Sequence, residues 1–334
     1  MLMRYLKGYS LLLMASLAAC SKSSDTTTLV GNWMKRSQYE GVARSSAASF
    51  VIDNKAYVGT GYDGTERLQD FWVYDVDLNQ WTQITSFPGV ARNGAVGMAM
   101  AGKGYVGTGY DGLNKLNDFY EYDPVAKTWT KKANFKGTAR YGAVAFALND
   151  KGFITTGYDG NWLKDNWKFD PTAPDATAWT QVESMNSGKR TDASAFVIGN
   201  KAYVCMGTAN AANVTDFYSF DGTTWTTLNP IANVNDDSFD DDYNFAGSSA
   251  AAFSMKGKGY IVSGIKGGYS AAVWEYTPGT DRWVQKTDFE GAARSGAVGF
   301  SLKDRGFVGL GASSSLSLDD LWEFDPNAEY NKND

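Results

Sequence analysis

The chain has 334 residues, 31 basic and 37 acidic, with two cysteines and no histidine. The missing histidine removes Ser-His-Asp and Cys-His catalysis together with the commonest transition-metal ligand, and a formal charge of −6 gives nucleic acid nothing to bind. A carboxylate acid-base pair or an all-oxygen cation site is the chemistry left open. In chain order, the first element is a targeting segment. Arg4 and Lys7 precede an apolar run from Leu11 to Leu17, too short for a permanent membrane span, and the run ends in Leu17-Ala-Ala-Cys20.

That ending resembles a bacterial lipobox. The resemblance implies that residues 1–19 are a lipoprotein signal peptide, that Cys20 is lipidated and becomes the mature N-terminus, and that residues 20–29 are a polar tether. Cleavage would remove two positive charges, leaving 29 basic against 37 acidic residues. Cys205, the other cysteine, sits in Tyr203-Val-Cys-Met206 among apolar neighbours and reads as core.

From residue 30 onward one unit recurs. The order of residue types in Lys103–Trp129 restarts at Lys55, Lys103, Lys151, Lys201, Lys258 and Arg305, at intervals of 48, 48, 50, 57 and 47 residues by subtraction. Six copies at a period in the forties indicate one supersecondary unit per copy. Arg140–Leu148 is an Ala- and Val-rich run, Lys103–Gly109 a short apolar run closed by glycines, Asp118–Asp123 an alternating run, and a fourth run surrounds each Trp. No helical periodicity intervenes, so the copies predict four-stranded propeller blades with the small-residue strand nearest the axis.

The copies resemble kelch repeats: Arg opens the first strand, Gly closes the second, Tyr-Asp or Phe-Asp ends the third, and Trp lies in the fourth. The resemblance covers residues 30 to 330, with Gly-Thr-Gly replacing the usual Gly-Gly pair in the first two copies. It implies an all-β, six-bladed kelch-type β-propeller. Galactose oxidase, a kelch enzyme, holds copper partly through histidines, so its chemistry does not transfer. The tryptophans fix the closure. They fall at 33, 81, 129, 179, 225 and 283, and the last copy has none, so the N-terminal strand around Trp33 must complete the last blade. The propeller is expected to fill residues 30–334 as a monomer.

Strands alternate in direction, so the loop before the first strand and the loop joining the second to the third share one rim. That rim is expected to bind ligand through Arg44, Arg92, Arg140, Arg190 and Arg294 and through Tyr62-Asp63, Tyr110-Asp111 and Tyr158-Asp159, each pair followed by Gly. The corresponding loops of later copies are Thr208-Ala-Asn, Ile265-Lys-Gly and Ala312-Ser-Ser, so the rim is polarised. Tyr-Asp-Gly equally suits a tight turn, and rim arginines can bridge to aspartates. From Trp to the next Arg is 11 residues in five copies, but Trp225 to Gly247, which holds the Arg position, is 22. The insertion contains Asp236, Asp237, Asp240, Asp241 and Asp242, which read as a Ca²⁺ site, a surface for a basic partner or a solvated acidic loop.

These features predict a protein anchored in the bacterial cell envelope, on the outer membrane, that binds a glycan, peptide or envelope protein without catalysis. The alternative is a metal-independent enzyme similar to the kelch-type sialic acid mutarotases, which use a glutamate and an arginine in the central cleft. Glu40, Glu66 and Glu290 are its candidates here, and no motif selects one. The anchor is open to direct test: Cys20→Ser should abolish fatty-acid labelling and move the protein out of the membrane fraction, and labelling that persists in the variant would contradict lipidation.

Overall fold

The computed structural model describes residues 29–186, 188–232, 243–331 and 333. Every regular element among them is a β-strand. Six four-stranded antiparallel sheets follow one another in sequence, spanning 48–84, 96–132, 144–182, 194–228, 251–286 and 298–325, the last with Asn32–Lys35 added. These are blades 1 to 6.

Blade 2 shows why the sequence folds this way. Its inner strand, Val96–Met100, buries Val96, Met98 and Met100, while alternate positions carry Gly and Ala. Small residues there let neighbouring inner strands approach around the axis. The second strand, Lys103–Gly107, is buried on both faces after its first residue because blades pack face to face. At Gly104 a Cβ would lie 2.1 Å from the ring of Phe50, so only glycine admits the aromatic that blade 1 inserts here. Phe119–Asp123 and Thr128–Lys132 complete the sheet in register, with Tyr122 opposite Trp129.

The axis is closed by backbone alone. In each blade the second residue after the Arg position donates its N–H to the carbonyl of the same position in the preceding blade: Gly94 to Ser46, Gly142 to Gly94, Asp192 to Gly142, Ser249 to Asp192, Gly296 to Ser249 and Ser46 to Gly296, at 2.8–3.1 Å. All six residues have positive φ, between 52° and 62°. Three are glycines; Asp192, Ser46 and Ser249 adopt the left-handed region despite a side chain, a strain accepted where the ring requires it.

The closure expected from the tryptophan count is present. Asn32–Lys35 pairs antiparallel with Leu321–Asp325, placing Trp33 opposite Phe324. Trp33 is fully buried, stacked on Phe324 at 4.5 Å and edge-on to Phe289 at 4.7 Å. Because this outer strand runs toward the Arg-bearing rim, the chain enters at the opposite face. Leu321–Asp325 runs the other way and exits there too, and Gly31 N–H bonds Ala328 O at 3.1 Å. Cys205 is fully buried, and burial pushes its thiol up to about 12, so it is a core residue.

Trp33→Ala should cost about 3–5 kcal/mol, as for large aromatic deletions in cores. Deleting residues 30–42 should cost more, since it also exposes the edge of Leu321–Asp325. Thermal melts read both effects; a native melting temperature in the truncated chain would show that blade 6 does not depend on this strand.

Candidate functional site

The five arginines do not face a ligand. Each is fully buried, and its guanidinium is occupied within its own blade. Arg44 donates from Nε to Val42 O (2.8 Å), from Nη1 to Thr60 O (3.0 Å) and Asp70 Oδ1 (2.6 Å), and from Nη2 to Asp70 Oδ2 (2.8 Å). The pattern repeats at Arg92 with Asp118, Arg140 with Asp165, Arg190 with Asp216 and Arg294 with Asp320. An aromatic ring covers each guanidinium: Tyr39, Phe87, Phe135, Tyr218 and Phe289, with centroids 4.8–5.8 Å away. The ligand-binding role expected of these arginines is therefore replaced by a structural one, because a planar cation with its donors filled and no exposed surface has nothing left to offer. Their aspartates lie 25 or 26 residues downstream, a regular spacing that the sequence contains.

The tyrosines and aspartates of the Tyr-Asp-Gly loops are partly consumed as well. Asp63 accepts the N–H groups of Thr65 and Glu66, both at 2.7 Å, and Asp111 those of Leu113 (2.8 Å) and Asn114 (2.6 Å). These bonds hold both carboxyls below the ordinary carboxylate range. At Asp159 burial pushes the carboxyl up, but the Thr138 hydroxyl and the Asn161 N–H outweigh it. The Tyr62 and Tyr110 hydroxyls donate to Gly64 O and Gly112 O at 2.7 and 2.6 Å. The aspartates shape the turns, and the ring faces remain.

Those faces form a continuous ladder with residues that the sequence reading did not select. Each second-to-third connection is a miniature hairpin, in which Tyr62 pairs with Arg67, Tyr110 with Lys115, and Tyr158 with Trp162. The Arg67 guanidinium lies between the Tyr62 and Tyr110 rings, 5.1 and 4.9 Å from their centroids, with Nε bonded to Asn93 Oδ1 at 3.0 Å. A Cβ at Gly112 would meet Arg67 Nη1 at 2.7 Å, so this glycine serves both the turn and the cation above it. The ladder continues from Tyr110 to Tyr141 (5.5 Å), Tyr158 (5.8 Å) and Trp162 (5.6 Å), with Lys115 Nζ 5.7 Å from the Tyr158 ring. At the hairpin-return position blades 4, 5 and 6 carry Asn213, Tyr269 and Ser317 instead. Aligning the six copies at that position would have revealed Arg67, Lys115 and Trp162.

The ladder borders the axial mouth, a shallow depression of about 140 Å³ lined by two residues from each blade. Among the described residues, Asp192 is the one ionisable side chain lining it. Burial pushes its carboxyl up, opposed by the Thr191 hydroxyl, and its charge adds to burial in raising the Tyr141 phenol. Of the glutamates considered for catalysis, Glu40 and Glu66 are exposed and Glu290 is half-buried. Cys20 and the acidic run Asp236, Asp237, Asp240, Asp241 and Asp242 lie outside the described residues.

Six blades, an arginine clasp repeated in five of them and a strand exchanged between the chain ends define a six-bladed β-propeller built from kelch-type repeats. A family model described as the KLHDC2/KLHL20/DRC7 Kelch-repeats domain matches residues 23–157. Among solved structures, the "Structure of YjhT" is similar in fold, with a TM-score of 0.70 and 17% identity over 85% of this chain and 95% of that one. No curated protein matches the chain.

The clasp makes a stability prediction. Arg44 and Arg294, winning over the desolvation that opposes them, lower the pKa values of Asp70 and Asp320. A depressed native pKa contributes stability that is present above the unfolded value of about 4 and is lost as pH falls through the native one. Asp320→Asn should therefore cost about 3 kcal/mol at neutral pH, by leaving a buried guanidinium uncompensated, and should flatten the loss of stability below about pH 4. Equal acid limbs in urea melts of native and variant protein would contradict this.

Proposed function

We propose that the protein is an exported, lipid-anchored binding module of the bacterial envelope, presenting the ladder on blades 1 to 3 to a glycan that carries a carboxylate. Kelch propellers commonly act in binding, and the observation that supports this ligand is Arg67 held between two tyrosine rings. Its Nε is fixed by Asn93, so its orientation is set before a ligand arrives. Sugar rings stack on aromatic faces through their C–H surfaces. Arg67 and Lys115, two cations on successive blades, supply charge-assisted donors to an acidic sugar. The anchoring at Cys20 on the outer membrane belongs to the same proposal, and one feature supports it: the described chain begins at the face opposite the ladder, so an anchor on that side would point the ladder away from the membrane.

A second reading, a metal-independent sugar-modifying enzyme, draws support from one observation. Asp192 sits in the axial mouth with a raised pKa, beside the Tyr141 phenol. A carboxyl tuned upward beside a phenol is a candidate for proton transfer.

Arg67→Gln and Tyr110→Ala should each weaken binding of an acidic oligosaccharide about tenfold or more by calorimetry, in line with about 1.5–3 kcal/mol for a hydrogen bond to a charged group. Asp192→Asn should leave that affinity in place. Undiminished affinity in both ladder variants would remove the proposed site, and tight binding of a basic or neutral peptide instead would assign the rim to protein recognition. Sugar mutarotation followed by polarimetry, present in the native chain and lost in Asp192→Asn, would establish the enzyme.

A further inference from the structure

Blade 5 lacks the clasp that the other five share. Gly247 stands at the arginine position, and Ala272 stands where Asp70, Asp118, Asp165, Asp216 and Asp320 stand elsewhere. The space is not closed by collapse. A cavity of about 320 Å³ occupies it, bounded by Ala272, Ser263 and Trp274 of blade 5, Met206 of blade 4, and Phe245 from the loop joining them. Phe245 stacks on Trp274 at 4.7 Å, nearly parallel, and forms one apolar wall.

Trp274 carries the argument. In blades 1, 3 and 6 the tryptophan at this position donates its indole N–H to the clasp aspartate: Trp72 to Asp70 at 2.8 Å, Trp167 to Asp165 at 2.7 Å, and Trp322 to Asp320 at 2.8 Å. In blade 5 the indole is retained and the carboxylate is not, so Trp274 Nε1 is buried without a partner, as is the hydroxyl of Ser263, itself 5% exposed. An unmet buried donor is costly and calls for an acceptor. The rest of the lining agrees about the acceptor's charge. Lys266 and Gln285 stand on the exposed side, and among the described residues no acidic side chain lines the cavity. Lys266 Nζ donates to Asn244 O and so is held at the mouth. The volume lies at the lower end of small-ligand pockets, about 300–1,000 Å³.

We propose that this socket between blades 4 and 5 binds a small organic carboxylate with an apolar body. The carboxylate takes the place of the missing aspartate on Trp274 Nε1 and Ser263 Oγ, with Lys266 as its counter-charge. The apolar body packs against Phe245 and Met206. The site is separate from the ladder, which lies on blades 1 to 3.

The test uses the full chain, with benzoate as probe and benzyl alcohol as its uncharged counterpart, in ligand-observed saturation-transfer NMR. Native protein should bind benzoate at least tenfold more tightly than benzyl alcohol. Ala272→Asp returns a carboxylate to the socket and should reduce benzoate affinity at least tenfold; Trp274→Phe, which keeps an aromatic wall and deletes only the N–H donor, should reduce it about fivefold. Melting curves establish that each variant is folded, and Trp274→Phe decides the matter if Ala272→Asp is not. The proposal is overturned by benzoate affinity unchanged in both variants, by equal binding of the two probes, or by no benzoate binding to the native chain.

Discussion

The buried guanidinium is the constraint on which the rest of this propeller rests. A blade is a twisted sheet that offers its neighbours two apolar faces, and such faces slide unless something polar fixes their register. Each arginine ties the loop arriving from the previous blade to the carbonyl at the end of the second strand and to the aspartate that opens the third. Removing a cation from water is expensive, and here all three guanidinium nitrogens find acceptors while an aromatic ring covers the plane. The cost is met by geometry, and the geometry then holds the loops on which the rim is built. The ring of six backbone hydrogen bonds at the axis depends on the same loops, because its members lie two residues beyond each clasp position.

Seen in this way, the rim's asymmetry has a physical basis. In the five clasped blades the arginine fixes where the miniature hairpin starts, and Asx-type turns at Asp63 and Asp111 fix how the first two fold back, so the returning residue is the free variable. Blades 1 to 3 place a cation, a cation and an indole there, while blades 4 to 6 place Asn213, Tyr269 and Ser317. One scaffold thereby carries a ladder of aromatic rings and cations on half its circumference. Blade 5 departs at a deeper level, losing the clasp itself, and the cavity beside Trp274 records that loss.

The architecture was legible in the sequence because it rests on patterns that burial imposes. The repeat interval, the inner-strand alternation and the offset Trp33 are all statements about which side chains leave water, and such statements survive translation into one dimension. The clasp arginines were misassigned for a related reason. A rim arginine that holds a loop and one that awaits a ligand look alike until its partner is known, although the regular aspartates at Asp70, Asp118, Asp165, Asp216 and Asp320 were available to mark the difference. The Tyr-Asp-Gly motif mixed two roles in adjacent residues, turn chemistry in the aspartate and an open ring face in the tyrosine. Arg67 and Trp162 drew no notice because they vary between copies, and their significance comes from neighbours on other blades, such as Tyr110 for Arg67 and Tyr141 for Trp162 through Tyr158.

The strand Asn32–Lys35 is both the closure of the ring and the first strand of the described chain. It runs along the edge of blade 6 from the face where the chain enters. A pull on the preceding residues, directed away from that face, is therefore aligned with the strand. Its four register pairs bear such a load together, in shear, rather than opening one after another like a zipper. Resistance to forced detachment is then set by how fast four pairs and the Trp33 stack give way at once. A propeller closed instead by a C-terminal strand would leave its N-terminus on an inner strand and transmit the same pull to its axis.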